Sequence, residues 1–565
     1  MNKRERMASC RPSLIVFIVK TASKSKLSSW KSCRLSGICW NCRDVSINLC
    51  EPKHNDMTRL ARIRYIILAA IAATFIAVSC EPEFVKGSGS NNTEQGNGNE
   101  NGNEGGNEEN GGENTGGEGT GEGGGENVPP VISDEGLAYV WDDTVIPEIT
   151  MKVSLEQWNA FLARYDEYDQ NADYFHADFT YRKGNEVTSI QDGGFRIRGN
   201  TSRRRPEGSS GQMHTAGSTD WHHCHFGLNF RKFNKDKAHT VKGIRKVNLK
   251  WFKDDAAYVR ELYCYDLFRR YGIWTAPYDT YCRLWIHVEG DAAPAYYGVY
   301  QMIEPIDDKY VEKRLNGMFG SDAGNLWKCG NNGNQADLDG IDGDWALDTD
   351  DGRNYTYEYK GEEAAYEAAK AQFQDFILKL TGKGEDSFYK WIKEVCDVEL
   401  LLKTYAVNVA VGMWDDHWVN GNNFYVYFNS TDLYDYKFFF IPYDYDNTLG
   451  TSGIIDAGRQ NPYEWGNVGL LMKRLMSFEE FRKIYKDALL ELADPSKALF
   501  HTDASMARIK AWQDKIRDYV SNDTGEDMSI HDRPASWGNH GEYRIMEAGP
   551  DNFFSVKIGV INSMK

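Results

Sequence analysis

Two carboxylates follow one of the most apolar segments of the chain. Residues 438–441 are all apolar, which predicts a strand buried on both faces, and Pro442 ends it. Asp444 and Asp446 then stand two positions apart in extended chain and project from the same side. Their oxygen ligands suit Mg²⁺, Mn²⁺ or Ca²⁺ better than zinc. The pair predicts a divalent-metal site, and acids that only stabilise a turn are the alternative.

A second polar segment, residues 414–423, lies between a predicted buried helix and an aromatic strand. Asp415 and Asp416 are adjacent acids in aromatic surroundings, which is unfavourable unless a cation or a proton donor offsets their charge. Asp415 and Asn420 have the spacing D-x-x-x-x-N. In phosphotransferase catalytic loops this spacing supplies a base for the acceptor hydroxyl and an amide oxygen for a metal ion. A loop that only ends the helix is the alternative.

The third segment ends a predicted strand and is rich in arginine. Arg196 and Arg198 alternate with apolar residues and therefore share one face. The loop that follows contains Gly199, Asn200 and Ser202. A glycine beside small hydroxyl residues leaves backbone N–H groups able to approach an anion, and phosphate is the natural guest. A solvated basic loop on an acidic protein is the alternative.

Composition narrows the possible classes of protein. The 565 residues include 65 Lys and Arg against 83 Asp and Glu, a formal charge of −18, and 41% of them are apolar. This apolar content suffices for a large core and excludes a wholly disordered chain. The negative charge argues against nucleic-acid binding, which needs clustered Lys and Arg. The sequence also lacks G-x-x-x-x-G-K-[ST], H-E-x-x-H and G-x-S-x-G, which excludes ordinary P-loop, zincin and hydrolase sites.

The N-terminal region has the pattern of an export signal. Arg62 and Arg64 precede the apolar residues 65–78. This run is too short to cross about 30 Å of hydrocarbon, which needs roughly 20 residues, and indicates a signal-peptide core. It ends in Ala77-Val-Ser-Cys80, similar to a bacterial lipobox in which Cys80 is lipidated and becomes the mature N-terminus.

These features divide the chain into four parts. We predict that residues 1–56 are an upstream extension from a misplaced start codon and that residues 57–80 are a lipoprotein signal peptide. Residues 81–130 are predicted to be a disordered Gly/Asn/Glu linker, because so few apolar residues cannot offset the entropy of ordering. Residues 131–565 are predicted to form the folded domain.

The order of strands and helices in the folded part predicts an α+β fold with two lobes. The first lobe is rich in sheet and the second is rich in helix. Strands are predicted over residues 194–198, 225–230, 246–250, 281–288, 296–303, 423–429 and 437–441. Capping boxes at Ser154 and Ser477 predict helices that follow them. The remaining helices are predicted near residues 254–272, 361–380, 397–413 and 503–520.

Taken in chain order, several motifs resemble the CotH kinase family, named for a spore-coat protein. They are Phe195-Arg-Ile-Arg-Gly-Asn-Thr-Ser-Arg203, Val247-Asn-Leu-Lys250, Tyr297-Gly-Val-Tyr-Gln-Met-Ile-Glu-Pro-Ile-Asp307, Gly324-Asn-Leu-Trp-Lys328, Asn422-Asn-Phe-Tyr-Val-Tyr427 and Ile441-Pro-Tyr-Asp-Tyr-Asp-Asn-Thr-Leu-Gly450. The resemblance covers roughly residues 145–520. The Cys80 motif and the linker are similar to those of Bacteroidetes surface lipoproteins.

The resemblance implies an atypical protein-kinase-like fold that moves the γ-phosphoryl group of ATP to Ser or Thr with Mg²⁺ or Mn²⁺. It implies Asp415 as the catalytic base and Asn420 as a metal ligand. Asp444 would be the counterpart of the metal-binding Asp of kinase DFG motifs, and Asp446 would assist it.

The resemblance also implies a nucleotide site. Arg196, Arg198 and the loop 199–202 would cover the phosphates, and Glu304 would be the acidic partner of a nucleotide-contacting lysine. Family members often carry a lysine before the strand that follows the RGN loop, where this chain has Trp221-His-His-Cys-His225. We therefore assign the lysine to Lys250, with Lys328 as the alternative.

The expected function is an exported, lipid-anchored protein kinase that acts on surface or envelope proteins, at the outer membrane or cell surface. Its expected partners are ATP, a protein substrate and the membrane that holds the lipid. The alternative is a catalytically degenerate kinase-like module that binds glycan or protein, because the 16 Trp and 32 Tyr could supply aromatic platforms and ATP is scarce outside the inner membrane. Zinc at residues 222–225 and calcium at residues 337–351 are weaker alternatives.

Overall fold

The structure, a computed structural model, describes residues 132–330, 334–347, 355–538, 540 and 542–565. The predicted signal peptide, Cys80 and the linker lie outside the described residues. Within the described ranges, none of the helices has the length and apolar character needed to cross a membrane.

Seven strands of the first part close into a barrel. They are β1 (Glu148–Val153), β2 (Phe175–Lys183), β3 (Glu186–Arg198), β4 (His225–Asn229), β5 (Lys246–Lys250), β6 (Asp279–Val288) and β7 (Ala295–Ile303). Their order around the barrel is β1-β2-β3-β4-β5-β7-β6, and β1 closes it by pairing in parallel with β6. The other neighbouring pairs are antiparallel. Closure pairs the strand edges that an open sheet would leave exposed.

The barrel interior is filled by alternating apolar side chains. In β2, for example, Ala177, Phe179 and Tyr181 are buried while the residues between them are more exposed. Two helices precede this strand, α1 (Glu135–Val140) and α2 (Leu155–Glu167). The Ser154 cap is confirmed, because its Oγ accepts a hydrogen bond of 3.2 Å from the Gln157 N–H. The buried face of α2 packs into the barrel core.

A second sheet of five strands lies in the later part of the chain. Its strands are β8 (Asn325–Cys329), β9 (Trp345–Leu347), β10 (Tyr357–Tyr359), β11 (Phe424–Phe428) and β12 (Phe438–Pro442), in the order β12-β11-β8-β10-β9. All five residues of β11 are buried. Phe424 and Val426 join the core on the helical side, whereas Tyr425 and Tyr427 pack into a smaller core on the opposite face. The sheet is therefore covered on both faces.

The longer helices surround this sheet. They are α3 (Arg260–Arg270), α4 (Asp308–Glu312), α5 (Tyr366–Gly382), α6 (Glu385–Val395), α7 (Val398–Ala410), α8 (Leu470–Leu475), α9 (Glu479–Leu492), α10 (Thr502–Ile516) and α11 (Phe553–Asn562). Single turns of other helical types occur at Leu315–Phe319, Glu363–Ala365, Pro462–Glu464 and Arg517–Tyr519. Helix α7 is buried along most of its length and packs against α9. It leads directly to the segment that contains Asp415.

The mixed α+β fold is confirmed, and three details differ from the expectation. The sheet-rich part is a closed seven-stranded barrel, and the second half contains a five-stranded sheet where the sequence predicted only a hairpin. Strands β9 and β10 are three residues long, too short for a periodic pattern to reveal them. Ser477 does not cap α9, because its hydroxyl donates to the Arg474 carbonyl at 2.7 Å and the helix begins at Glu479.

Candidate functional site

A cavity of about 670 Å³ lies between the barrel and the second sheet. The ends of β3, β4 and β5 form one side of it, and β8, β10 and the loops before β11 and after β12 form the other. Nine of the residues predicted from the sequence line this one cavity: Arg196, Arg198, Gly199, Asn200, Ser202, Lys250, Asp415, Asp444 and Asp446. The fold therefore joins four segments that are far apart in the chain: residues 196–202, Lys250, Asp415 and residues 444–446.

Lys250, at the end of β5, lies among three carboxylates. Its Nζ is 2.6 Å from Glu261 Oε2, 2.5 Å from Asp444 Oδ1 and 3.3 Å from Asp446 Oδ2. Burial alone would lower the pKa of Lys250, but the three acids raise it well above its usual value. The amine is therefore a fixed positive charge at the base of the cavity.

Glu261 holds this arrangement together from the first turn of α3. One of its oxygens binds Lys250, and Oε1 accepts hydrogen bonds of 3.0 Å from Tyr265 Oη and 3.0 Å from the Tyr445 N–H. The Asp444 N–H in turn donates to Tyr265 Oη at 2.9 Å. Strand β5, helix α3 and the loop after β12 are thus joined through one buried carboxylate.

Asp444 has a left-handed backbone conformation, which contacts with the surrounding residues stabilise. Its φ is 64°, in the left-handed region that few side chains other than glycine adopt without cost. Burial acts to raise the pKa of Asp444, but Lys250, together with Arg198 and Lys328, lowers it. The carboxylate is therefore held ionised at the cavity wall.

Asp446 has a buried carboxylate oxygen that could bind a cation. Its Oδ1 is buried and has no hydrogen-bond partner among the described residues. Burial raises the pKa of Asp446 well above its usual value, with Asp444 and Glu261 adding to the effect. One ammonium group faces three acids here, so a divalent cation would supply the positive charge that is lacking.

The donor set fits a hard cation bound partly by substrate. Asp444 and Asp446 supply carboxylate oxygens, and Mg²⁺ commonly uses only one or two protein carboxylates beside phosphate oxygens. In the part of the chain that the structure describes, no group of three or more His, Cys, Asp or Glu side chains is arranged to hold a metal by itself. The protein carboxylates thus provide only part of the metal coordination, and phosphate oxygens of the substrate would provide the rest.

Asp415 lies in the same cavity under a cover of asparagine amides. Its Oδ1 accepts hydrogen bonds from Asn420 Nδ2 at 2.6 Å and Asn422 Nδ2 at 3.2 Å, and its Oδ2 accepts one from Asn423 Nδ2 at 3.0 Å. Burial raises the pKa of Asp415, and the amides limit the rise. These bonds fix the orientation of the carboxylate.

Its neighbour Asp416 faces the protein interior instead. The Asp416 carboxylate accepts from Asn408 Nδ2 at 2.5 Å and from the Val419 N–H at 2.8 Å, and burial raises its pKa to about 7. Asp416 therefore stabilises the turn after α7. Of the two acids, Asp415 is the one that lines the cavity.

The basic side of the cavity is built on the end of β3. Arg198 Nη2 donates to Tyr443 Oη at 2.7 Å, and the Arg196 guanidinium lies 5.5 Å from the centre of the Tyr174 ring. Arg203 Nε donates to the Gly199 carbonyl at 2.7 Å and holds the loop. Burial, with repulsion from Arg196 and Arg198, lowers the pKa of Arg203 to about 10, which reflects the concentration of positive charge.

Gly199 allows this loop its close turn. Its φ is 101°, and a Cβ at this position would lie 2.3 Å from Ser202 Oγ and 3.0 Å from His225 Cδ2. A side chain here would clash with Ser202 and His225, so the loop could not keep its present path.

Two predicted residues lie elsewhere. Glu304 binds Arg314 through both oxygens, at 3.0 and 2.6 Å, and is not the partner of Lys250, whose acidic partner on a helix is Glu261. The expected pairing of Glu304 with a site lysine is therefore corrected. Asn420 contacts Asp415 and Gln335 and is not among the described residues that line the cavity, whereas Asn422 and Asn423 are.

The weaker expectations can also be placed. Lys328 lines the cavity with its Nζ 5.6 and 5.5 Å from the Tyr355 and Tyr443 ring centres, and among the described residues it is Lys250 that contacts Glu261, Asp444 and Asp446. His225 accepts a hydrogen bond of 3.0 Å from the Trp251 N–H, and burial lowers its pKa well below the usual value. His223 instead contacts the Tyr297 carbonyl at 2.7 Å, so the zinc alternative receives no support from the described residues.

Sequence reasoning missed Glu261, Asn422 and Asn423. An acid in the first turn of a helix usually interacts with the helix dipole and is solvated, so Glu261 carried no distinct signal. Its spacing from Tyr265 does place both on one helix face. Asn422 and Asn423 were part of a quoted motif, but the D-x-x-x-x-N spacing favoured Asn420.

The comparison with known proteins agrees with the geometry. A family model described as CotH kinase protein matches residues 195–545, which begin at the arginine segment and include the cavity residues before β11 and after β12. No curated protein matches the chain. Because the family model spans more than half of the sequence, the chain belongs to the CotH kinase protein family.

Proposed function

We propose that the protein is an atypical kinase that transfers the γ-phosphoryl group of ATP to a Ser or Thr hydroxyl of a protein. The observation that carries this proposal is the contact of Lys250 with both Glu261 and Asp444 in a cavity that Asp415 also lines. Protein kinases use the same set of groups. It consists of a lysine paired with a glutamate on a helix, an aspartate that binds the metal ion, and a second aspartate that acts as the catalytic base. In this proposal the barrel and the helical part act as the two lobes of a kinase-like fold.

The residues of the chain divide the work of the reaction. Arg196, Arg198 and the loop at Gly199 would bind the phosphates, and Lys250 would orient them from below. Asp415 would accept the hydrogen bond of the acceptor hydroxyl and take its proton as the new O–P bond forms. The bond between the γ-phosphorus and the bridging oxygen breaks, and ADP leaves with the electron pair. The asparagine amides around Asp415 keep its carboxylate aimed at the hydroxyl.

Asp444 and Asp446 would hold the divalent ion, Mg²⁺ or Mn²⁺. When bound, the ion neutralises phosphate charge and helps to align the transferred group. The surrounding charge supports this role, because arginines and lysines line the cavity together with Asp444 and Asp446 in a protein whose overall charge is −18.

The proposed location is the cell envelope, with a lipid on Cys80 that anchors the protein to the outer membrane or cell surface. The support comes from the sequence of residues 57–80 and from the linker that follows. Mass spectrometry of the mature N-terminus tests this part. A peptide that begins at an acylated Cys80 is expected, and an unmodified N-terminus upstream of it would contradict the anchor.

A calorimetric titration of ATP and metal tests the nucleotide site. Binding of ATP is expected to require Mg²⁺ or Mn²⁺ and to be lost in Asp446→Asn, because the buried Oδ1 is then replaced or displaced. Equal affinity with and without metal would contradict the proposed metal site. Tyr434→Phe is a suitable control, since Tyr434 is exposed in the turn between β11 and β12.

A second candidate is a kinase-like module that only binds glycan or protein. The observation in its favour is that both oxygens of Asp415 already accept amide hydrogens and that Asn420, the expected metal ligand, is turned toward Asp415. Such a module would bind its partner without consuming ATP.

A further inference from the structure

An exposed tryptophan, Trp537, lies at the edge of the cavity and packs against Trp414, which is only 9% exposed. Trp537 is 46% exposed and lines the cavity together with Trp414, the residue next to Asp415. The centres of the two tryptophan rings are 6.1 Å apart in an edge-to-face arrangement. Ile454, which is 51% exposed, lies next to Gly453, whose Cβ position is within 3.6 Å of both rings. We call Trp414, Trp537 and Ile454 the rim patch.

The rim patch is held in place by buried backbone contacts. The Thr451 carbonyl accepts a hydrogen bond of 3.0 Å from Trp414 Nε1, and the Thr451 hydroxyl accepts one of 3.1 Å from the Ala535 N–H. Thr451 is fully buried. Its two hydrogen bonds join the segments that carry the tryptophans. Gly538 packs so closely that its Cβ position lies 3.0 Å from the Ser452 nitrogen. The exposure of Trp537 is therefore a built feature of the loop.

We propose that the rim patch binds the acceptor polypeptide through a large apolar side chain close to the phosphorylated Ser or Thr. This inference rests on the proposed kinase function. Its argument is continuity, because Trp414 contacts the exposed ring of Trp537 and directly precedes Asp415 in the chain, and all three residues line the same cavity. Aromatic side chains exposed beside a catalytic group supply contact area at little entropic cost.

A polypeptide fits this surface better than a saccharide does. Sugar rings need several hydrogen-bond partners around an aromatic face, whereas Trp537 packs against the ring of Trp414, whose indole N–H already donates to the Thr451 carbonyl. Ile454 adds an aliphatic surface that offers no hydrogen bond. An extended chain rises about 3.3 Å per residue, so the side chains one to three positions from the acceptor are the ones placed to contact other residues of the cavity that Asp415 lines.

The test uses the full-length protein with paired serine peptides. One series carries Phe or Leu at each of the three positions on either side of the serine, and the matched series carries Ala there. The wild type is expected to phosphorylate at least one apolar peptide with a KM roughly tenfold lower than that of its Ala partner. Trp537→Ala is expected to abolish this difference and to leave the KM for ATP unchanged, and Trp537→Phe is expected to restore most of it. Tyr434→Ala removes another exposed aromatic and is expected to keep the preference.

The outcomes separate this inference from the kinase proposal. Transfer to peptides with no preference for an apolar neighbour would overturn the rim patch while the kinase function stands. If no peptide is phosphorylated, fluorescence anisotropy of the same labelled peptides replaces turnover. A preference in binding that Trp537→Ala removes then supports the rim patch alone. Equal binding of both series, or an oligosaccharide that binds wild type and not Trp537→Ala, would overturn it.

Discussion

Lys250 donates a hydrogen bond of 2.6 Å to Glu261, eleven positions later in the chain, across the join between strand β5 and helix α3. Both groups are buried, and the same amine reaches Asp444 on the loop after β12. A buried charge that binds several partners fixes their relative positions, because moving any one of them leaves a charge unpaired. This contact is therefore the structural centre of the proposed phosphate-transfer site.

Glu261→Gln is expected to weaken ATP binding, whereas Glu304→Gln is not. In Glu261→Gln the Lys250 amine loses a carboxylate, and the hydrogen bonds to Tyr265 and Tyr445 lose their charged acceptor. In Glu304→Gln the buried pair with Arg314 is broken, which is expected to cost about 3–5 kcal/mol of unfolding free energy. Isothermal titration with ATP and denaturant unfolding measure the two effects. Loss of ATP binding in Glu304→Gln alone would show that the lysine partner has been misassigned.

Asp415→Asn is expected to lower kcat by about 100- to 10,000-fold, with little change in the KM for ATP. The variant keeps the size of the side chain but cannot take the proton of the acceptor hydroxyl. Asp416→Asn is the matched comparison, because Asp416 faces Asn408 and not the cavity. It is expected to reduce stability more than turnover. Steady-state kinetics with purified variants test both, and full activity in Asp415→Asn would exclude this residue as the base.

Gly199→Ala is expected to raise the KM for ATP. The added Cβ would meet Ser202 Oγ at 2.3 Å, and φ at this position is 101°, so the loop must move away from its present path. Gly184→Ala is a useful control, since that glycine also has a positive φ, of 60°, but its Cβ would have open space around it. Similar ATP affinity in wild type and Gly199→Ala would indicate that the loop does not contact phosphate.

Lys557→Met is expected to flatten the pH dependence of stability. Lys557 is fully buried in α11, with its Nζ 4.3 Å from the Trp465 ring centre, and burial lowers its pKa to about 7 despite the attraction of Asp456. Between this value and the ordinary value of about 10.5, the unfolded chain binds the proton and the folded chain does not. This group therefore makes the wild type more stable as pH rises from about 7 to 10.5, and less stable below.

Urea unfolding of wild type and Lys557→Met at several pH values checks this sign. The variant is expected to be more stable than the wild type at pH 7, because methionine fills the space without a buried amine. A wild type that gains stability relative to the variant as pH falls through this window would contradict the assignment.

The sequence predicted the polar segments of the site better than the elements that bring them together. Local patterns were sufficient to find four of the site residues, because each lies at or shortly after the end of a recognisable strand or helix. They are Arg198, Lys250, Asp415 and Asp444. The barrel was not foreseen, although Phe175, Ala177, Phe179 and Tyr181 in β2 alternate as a half-buried strand should. Its closure depends on the parallel pairing of β1 with β6, and sequence spacing carries no information on that contact.

The sequence also could not predict which acidic side chain pairs with which basic one. Glu261 lies in the first turn of α3 and Glu304 directly follows β7, and each has a buried basic partner. Which one meets Lys250 is decided by the packing of α3 against the loop after β12. The spacing favoured Asp415 over Asp416 as the base, which stays a prediction; of the two acids, Asp415 lines the cavity and Asp416 binds Asn408.

Transfer of label from γ-labelled ATP to a serine- and threonine-containing peptide library, with Mg²⁺ or Mn²⁺, tests the central claim most directly. The account predicts metal-dependent incorporation by the wild type that falls to background in both Asp415→Asn and Asp444→Asn. Incorporation that is unchanged in these two variants, or a wild type that binds ATP with metal and labels no acceptor, would contradict it.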